Sequence, residues 1–188
     1  MAKKKTTEAI NREQEVMEEK ETLPSFFTNL FSSASNPLPN RAVLEYNIMH
    51  SAPVKTNTEG YRSMTKVDKR TAEDIKHRLP CITPSVQLKG SSKKLTDFRK
   101  ETCWLMLDYD DVPSKNIAAL RQKARNMPFT MIFYITVSGK GFRILLRYMR
   151  PEGCNLTATE LHQLAIRKAM SMYDKLLGIS SDKQCQDM

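Results

Sequence analysis

Residues 103–111 read Cys-Trp-Leu-Met-Leu-Asp-Tyr-Asp-Asp, and the fold turns on how this stretch is read. It is an apolar run of strand length finished by three acids within four residues, an ending that buried strands do not ordinarily have. Side chains of a strand alternate between its two faces. Trp104, Met106, Asp108 and Asp110 therefore share one face, and Leu105, Leu107 and Tyr109 the other. Acids at a solvated strand end are the plain reading of such a pair. Two carboxylates on one face also make half of a cation site.

The flanking sequence sets the fold class. Pro113 and Ser114 open a helix with Ile117, Leu120, Ala124 and Met127 on one side, and Pro128 stops it. Residues 130–137, TMIFYITV, and 142–149, FRILLRYM, are rich in β-branched, aromatic and aliphatic residues. Ser138-Gly139-Lys140-Gly141 joins them, so the pair predicts an antiparallel hairpin. In its second strand Phe142, Ile144, Leu146 and Tyr148 are expected on the core side, with Arg143, Leu145, Arg147 and Met149 opposite. A long helix follows, capped by Thr157 and Glu160, with Leu161, Leu164, Ala165, Met172 and Leu176 as the expected buried stripe and Gly178 at its C-cap. His162 is expected to be partly exposed.

Strand, helix, strand, strand, helix predicts an α+β fold, a mainly antiparallel sheet with helices on one side. The other face would carry Asp108, Asp110, Thr130, Tyr134, Thr136, Arg143 and Arg147, polar and uncovered by helices. Acids at one point and arginines at another suit metal ions and phosphates together.

Upstream, Arg41–His50 and Thr71–Leu79 read as helices, the second with Ile75 and Leu79 inward and His77 on the surface. Pro53–Gly60 reads as a loop. Cys81–Leu88 predicts a strand interrupted near Pro84. Lys89–Lys100, with five basic residues against Asp97, reads as a solvated loop before a phosphate contact. Residues 1–22 form a charged tail, a solvated helix or disordered. Residues 23–40 are a connector whose Phe26, Phe27, Leu30 and Phe31 can dock on a core. Residues 41–188 form the domain, which ends where another strand is expected and so reads as truncated.

At 188 residues with 40% hydrophobic content the chain can bury one core. No apolar run approaches the roughly 18 residues of a membrane span, and no secretory signal opens it, so a cytoplasmic protein without a membrane partner is expected. Cys81, Cys103, Cys154 and Cys185 form no CxxC pair, which favours reduced thiols over a zinc site or disulfides. Of the net charge of +9, residues 1–22 contribute −1, which leaves +10 on the rest. That excess suits a polyanion such as nucleic acid, though many basic proteins bind none. The SGKG link lacks the GxxxxGK[ST] of a P-loop. Its glycines allow close backbone approach and Lys140 adds charge, yet most glycine-containing hairpin links bind nothing.

Taken together, LMLDYDD and, about thirty residues on, ITVSGKGFRILLRY resemble the archaeo-eukaryotic primase-polymerases, and within them the VirE N-terminal domains of mobile-element and phage-like replication proteins. IKHRLPCITPSV resembles a Lys-x-x-Leu-Pro-x-x-x-x-Ser segment of that branch, and the resemblance covers roughly residues 40–188. It implies a primase-polymerase, RRM-like core in which Asp108, Asp110 and, as third acid, Asp182 (with Asp187 second) hold Mg2+ or Mn2+ in a two-metal site. Ser138, Gly139, Lys140, Gly141 and Arg143 would contact the triphosphate of a nucleoside triphosphate substrate. The implied function is primer synthesis by metal-dependent nucleotidyl transfer on single-stranded DNA, with a helicase domain in the same protein. Arg143 stands where those polymerases carry His, and an arginine holds phosphate but donates no proton at neutral pH. A catalytically degenerate nucleic-acid-binding module and a metal-dependent nuclease are the alternatives.

Overall fold

The computed structural model describes residues 22–32, 34–89 and 98–186. In chain order its elements are β1 (Ser25–Phe27), α1 (Arg41–Met49), α2 (Ala52–Met64), α3 (Lys69–Lys76), β2 (Cys81–Thr83), β3 (Val86–Leu88), β4 (Phe98–Glu101), β5 (Trp104–Tyr109), α4 (Ser114–Arg125), β6 (Thr130–Ile135), β7 (Phe142–Arg147) and α5 (Ala158–Leu177). A 3-10 turn at Lys183–Gln186 follows. The fold is α+β. Its sheets are small and antiparallel: β1 with β2, β3 with β4, and a three-stranded sheet in the order β5-β7-β6.

The three-stranded sheet carries the architecture. β7 lies between β5 and β6 and runs antiparallel to both, so the β5-α4-β6 crossover spans an intervening strand, the split βαβ arrangement. On one face Leu105, Leu107, Ile144 and Leu146 meet Ile117, Leu120 and Ala124 of α4 and Ile166, Ala169 and Tyr173 of α5. The rings of Tyr109, Phe142 and Phe133 stack at its centre, 4.9 and 4.6 Å between centroids. α5 has the expected capping box and left-handed Gly178 (φ 72°), but its buried stripe is Leu161, Ile166, Ala169, Met170, Tyr173 and Leu177. Leu164, Met172 and Leu176 are exposed. His162, expected to be partly exposed, is 3% exposed, with burial lowering its pKa and Nδ1 unpartnered.

The opposite face is not open, as its alternation suggested. Trp104, Ile132 and Leu145 pack there with Leu23, Phe26 and Leu44, so the connector and α1 form a second core. Thr130 left this face as well. A register shift between Thr130 and Ile132 turns it toward α5, where its hydroxyl meets the Tyr173 hydroxyl at 2.7 Å.

Residues 53–60, read as a loop, lie inside α2. Pro53 sits in the first turn, where a missing N–H costs nothing, and Gly60 packs beside Ile75 of α3. α3 begins with Asp68, whose side chain accepts from the Arg70 and Thr71 amides. The loop expected through Lys100 ends sooner, in β4. Residues 1–21 and 90–97, and with them most of the charged tail and of the basic loop, lie outside the described residues.

Candidate functional site

Antiparallel register across three strands puts Asp108 of β5, Arg143 of β7 and Tyr134 of β6 in one row on the half-covered face. The Arg143 Nε donates to Asp108 Oδ2 at 2.7 Å, and its Nη2 forms an ion pair with the same oxygen at 2.7 Å. The Asp108 side chain is 13% exposed and that of Arg143 40%, so the pair stands at the rim of the second core. Asp108 Oδ1 is buried without a hydrogen-bond donor. A carboxylate oxygen in that position lacks a partner that a cation could supply.

The strand end and the hairpin link touch. Asp111 adopts a left-handed conformation (φ 53°) that turns the chain back, and the Val112 amide then donates to the Lys140 carbonyl at 2.7 Å. A Cβ at Gly141 would collide with the Tyr109 carbonyl oxygen and crowd Asp110, so this glycine is what lets the two turns meet. Gly139 has φ 72°, and its amide donates to Thr136 O at 2.9 Å. The Lys140 amide donates to the Ser138 hydroxyl at 3.2 Å. Those amides are spent inside the turn and are not offered to a ligand. The exposed Lys140 side chain and the Ser138 hydroxyl face solvent beside the acids.

Asp182 arrives along the outer edge of β5. Its amide donates to the Asp108 carbonyl at 2.8 Å, and its Oδ1 accepts from the Gln184 amide at 2.9 Å. Asp174 of α5 pins this segment, accepting from Tyr109 Oη at 2.8 Å and from the Ser181 amide at 3.0 Å. The expected strand is replaced by the 3-10 turn, because these bonds bend the chain along the edge. Burial raises the pKa of Asp110, as do Asp108, Asp111 and Asp182, while Arg143 opposes them. These four acids therefore share one electrostatic field. Among the described residues, though, no group of three His, Cys, Asp or Glu side chains is gathered closely enough to hold a metal ion, and Asp187 lies outside them.

A cleft of about 640 Å3 opens beside Arg143, between the sheet and helices α2 and α3. Among the described residues its charged lining is Arg62, Lys76, Arg121 and Arg143, with no Asp or Glu. Arg62 of α2 crosses to the hairpin, its Nε donating to Val137 O at 2.9 Å and its guanidinium lying over Gly139. Sequence reasoning passed over Arg62. The signal was present, since Val54, Thr58 and Arg62 recur every four residues, but it shows only once 52–64 is a helix.

The profile of one family, described as BT4734-like, N-terminal domain, matches residues 74–188, from the last turn of α3 through α5 and the Asp182 segment. The chain belongs to this BT4734-like N-terminal domain family. That finding overturns the VirE resemblance, and with it the primase, replication and mobile-element assignments carried over from it. β5, the hairpin and Asp182 all lie within the BT4734-like span, whereas β1, α1, α2 and Arg62 precede it. No curated protein and no solved structure matches the chain.

Proposed function

We propose that this domain binds a nucleoside triphosphate together with Mg2+ or Mn2+ where the β5 end meets the SGKG turn, and serves metal-dependent nucleotidyl transfer on single-stranded nucleic acid. The observation that carries the proposal is the direct contact of the two turns through Gly141 and the Val112–Lys140 hydrogen bond. It brings an acidic pole and a basic pole into one corner.

Two features of the acids favour a cation, although among the described residues the three are not gathered closely enough to enclose one. Asp108 Oδ1 has no donor, and Asp110 holds its proton more tightly than an ordinary carboxyl, first through burial and then through the nearby carboxylates of Asp108, Asp111 and Asp182. Asp108, Asp110 and Asp182 are the residues that would hold the ion or ion pair. Bound there, it would neutralise the phosphates and lower the pKa of an attacking hydroxyl. Arg143 has guanidinium nitrogens beyond those committed to Asp108 for a phosphate oxygen, Lys140 adds a mobile charge, and Ser138 a hydroxyl. Tyr134 borders Arg143 across the β6–β7 pair.

The split βαβ sheet is RRM-like in strand order, but α1 and the connector cover much of the face on which such sheets stack bases. Nucleic acid is left the rim and the basic surface. Four free thiols suit a reducing, cytoplasmic setting. No helix among the described residues is long and apolar enough to cross a membrane.

Binding without turnover is the second reading, favoured by the Arg143–Asp108 pair, which already neutralises one acid. Labelled-nucleotide incorporation on single-stranded template with Mn2+ separates the two. Product that disappears in the Asp108→Ala, Asp110→Ala double variant supports transfer. Nucleotide and strand binding without product leaves the binding module, and degradation of the template indicates a nuclease instead.

A further inference from the structure

The cleft beside Arg143 differs in kind from the acidic corner. One wall is helix α2, which presents Val54, Thr58 and Arg62 at successive i, i+4 positions. The opposite wall is the sheet, with Met106, Tyr134 and Arg143. Polarity runs along its length. At the hairpin end stand the two guanidiniums of Arg62 and Arg143. Toward α1 and β2 the lining becomes Ile48, Met49, Val54 and Ile82.

Arg62 stands out among the charges. Its Nε is spent on the Val137 carbonyl, but no acid pairs with it among the described residues, and its terminal nitrogens carry no hydrogen bond there. A guanidinium fixed by one nitrogen is pre-organised, so its remaining donors can take a phosphate or carboxylate with little further ordering. The volume lies within the range of small-molecule sites, which are mostly apolar with a few placed polar groups.

We infer that the cleft between α2 and the sheet is the seat of the nucleotide, with Arg62 and Arg143 gripping its phosphates at the hairpin end and its base lying in the apolar end against Val54, Thr58 and Tyr134. This rests on the nucleotide reading above and extends it to a wall that precedes the family-matched residues. Helices α1 and α2 are then part of the binding site rather than an appendage to it. Arg62 sets affinity through charge, and Thr58 lies where the base must pass.

Calorimetric titration of the 188-residue protein with ATP and, separately, with inorganic tripolyphosphate, both with Mg2+, tests this. Arg62→Ala and Arg62→Gln, melting within about 2 °C of the parent, are expected to weaken both ligands by on the order of 10-fold, the worth of one charge-assisted hydrogen bond. Glutamine can still donate to Val137, so wild-type binding by Arg62→Gln would reduce Arg62 to a support of the turn and overturn its role. Thr58→Trp fills the cleft and is expected to weaken ATP at least about 10-fold while leaving tripolyphosphate within about twofold. Equal loss of both ligands, or no loss of either, would overturn the placement of the base. If the Arg62 and Thr58 variants bind normally while Asp108→Ala abolishes binding, this inference fails and the acidic-corner reading stands. If the parent protein binds neither ligand, both fall.

Discussion

One face of the three-stranded sheet is closed by two amphipathic helices over stacked rings and aliphatic side chains. The other is closed for only part of its length, by α1 and the connector over Trp104, Ile132 and Leu145, and then gives way to the Asp108–Arg143–Tyr134 row. The first face pays for the fold. The second keeps an ion pair at its rim and, beside it, a cleft with no acid among its described lining residues, features that selection for stability alone would replace with apolar packing. Where burial stops on the second face, charged side chains take over.

The largest effect should come from the closed face. Phe142→Ala removes the fully buried middle ring of the stack and is expected to cost about 3–5 kcal/mol in chemical denaturation. Ile132→Ala on the other face should fall nearer the low end of the roughly 2–5 kcal/mol range, because the neighbouring cleft lets the site collapse. A costlier Ile132→Ala would break the distinction between the faces.

Arg143→Met sharpens it. A fully buried partner left uncompensated costs about 3–5 kcal/mol, but this pair is partly solvated, so about 1–2 kcal/mol is expected. Mg2+ at millimolar concentration should restore most of that loss by replacing the missing cation beside Asp108. Thermal melts with and without Mg2+ would show it, and a variant indifferent to the ion would mean that the acids are not a cation site.

The smallest effect concerns Asp110. Its folded-state pKa lies above the ordinary value, so the fold holds the proton more tightly than the unfolded chain does. Ionised Asp110 therefore costs stability once the pH exceeds that raised pKa, and the cost disappears as pH falls below the ordinary carboxyl range. Asp110→Asn should melt on the order of 1 °C higher than the parent at neutral pH without metal, the exposed side chain limiting the gain. The difference should vanish at pH 3. A variant that melts lower at neutral pH would contradict the shared field of acids.

Much of this was legible in the sequence because strands declare themselves at period two. The faces of residues 104–109, the hairpin, the helix from Ser114 and the Thr157–Glu160 cap all follow from local pattern. What was not legible depends on partners distant in sequence. Leu145 sits between two arginines in the alternation, and only the docking of Leu23, Phe26 and Leu44 makes its side of the strand a core. The stripe of α5 was read one turn-face away because Leu164, Met172 and Leu176 compete with Ile166, Met170 and Tyr173 for the same role. Pro53 and Gly60 each look like breakers, although the first suits a helix start and the second packs on Ile75. Hiding α2 hid Arg62. Asp108 and Arg143 were both recognised, but their pairing requires knowing that β5 neighbours β7 and in which register.

Mn2+ titration of the isotopically labelled protein in the presence of ATP, followed by amide NMR, tests the central claim most directly. Paramagnetic broadening should reach the amides of residues 108–112 and 138–143 first, at substoichiometric Mn2+, and reach the C-terminal half of α4 and the N-terminal half of α5 last. Broadening that begins elsewhere, or that spreads evenly over the surface acids, would contradict a cation and nucleotide site at the meeting of these two turns.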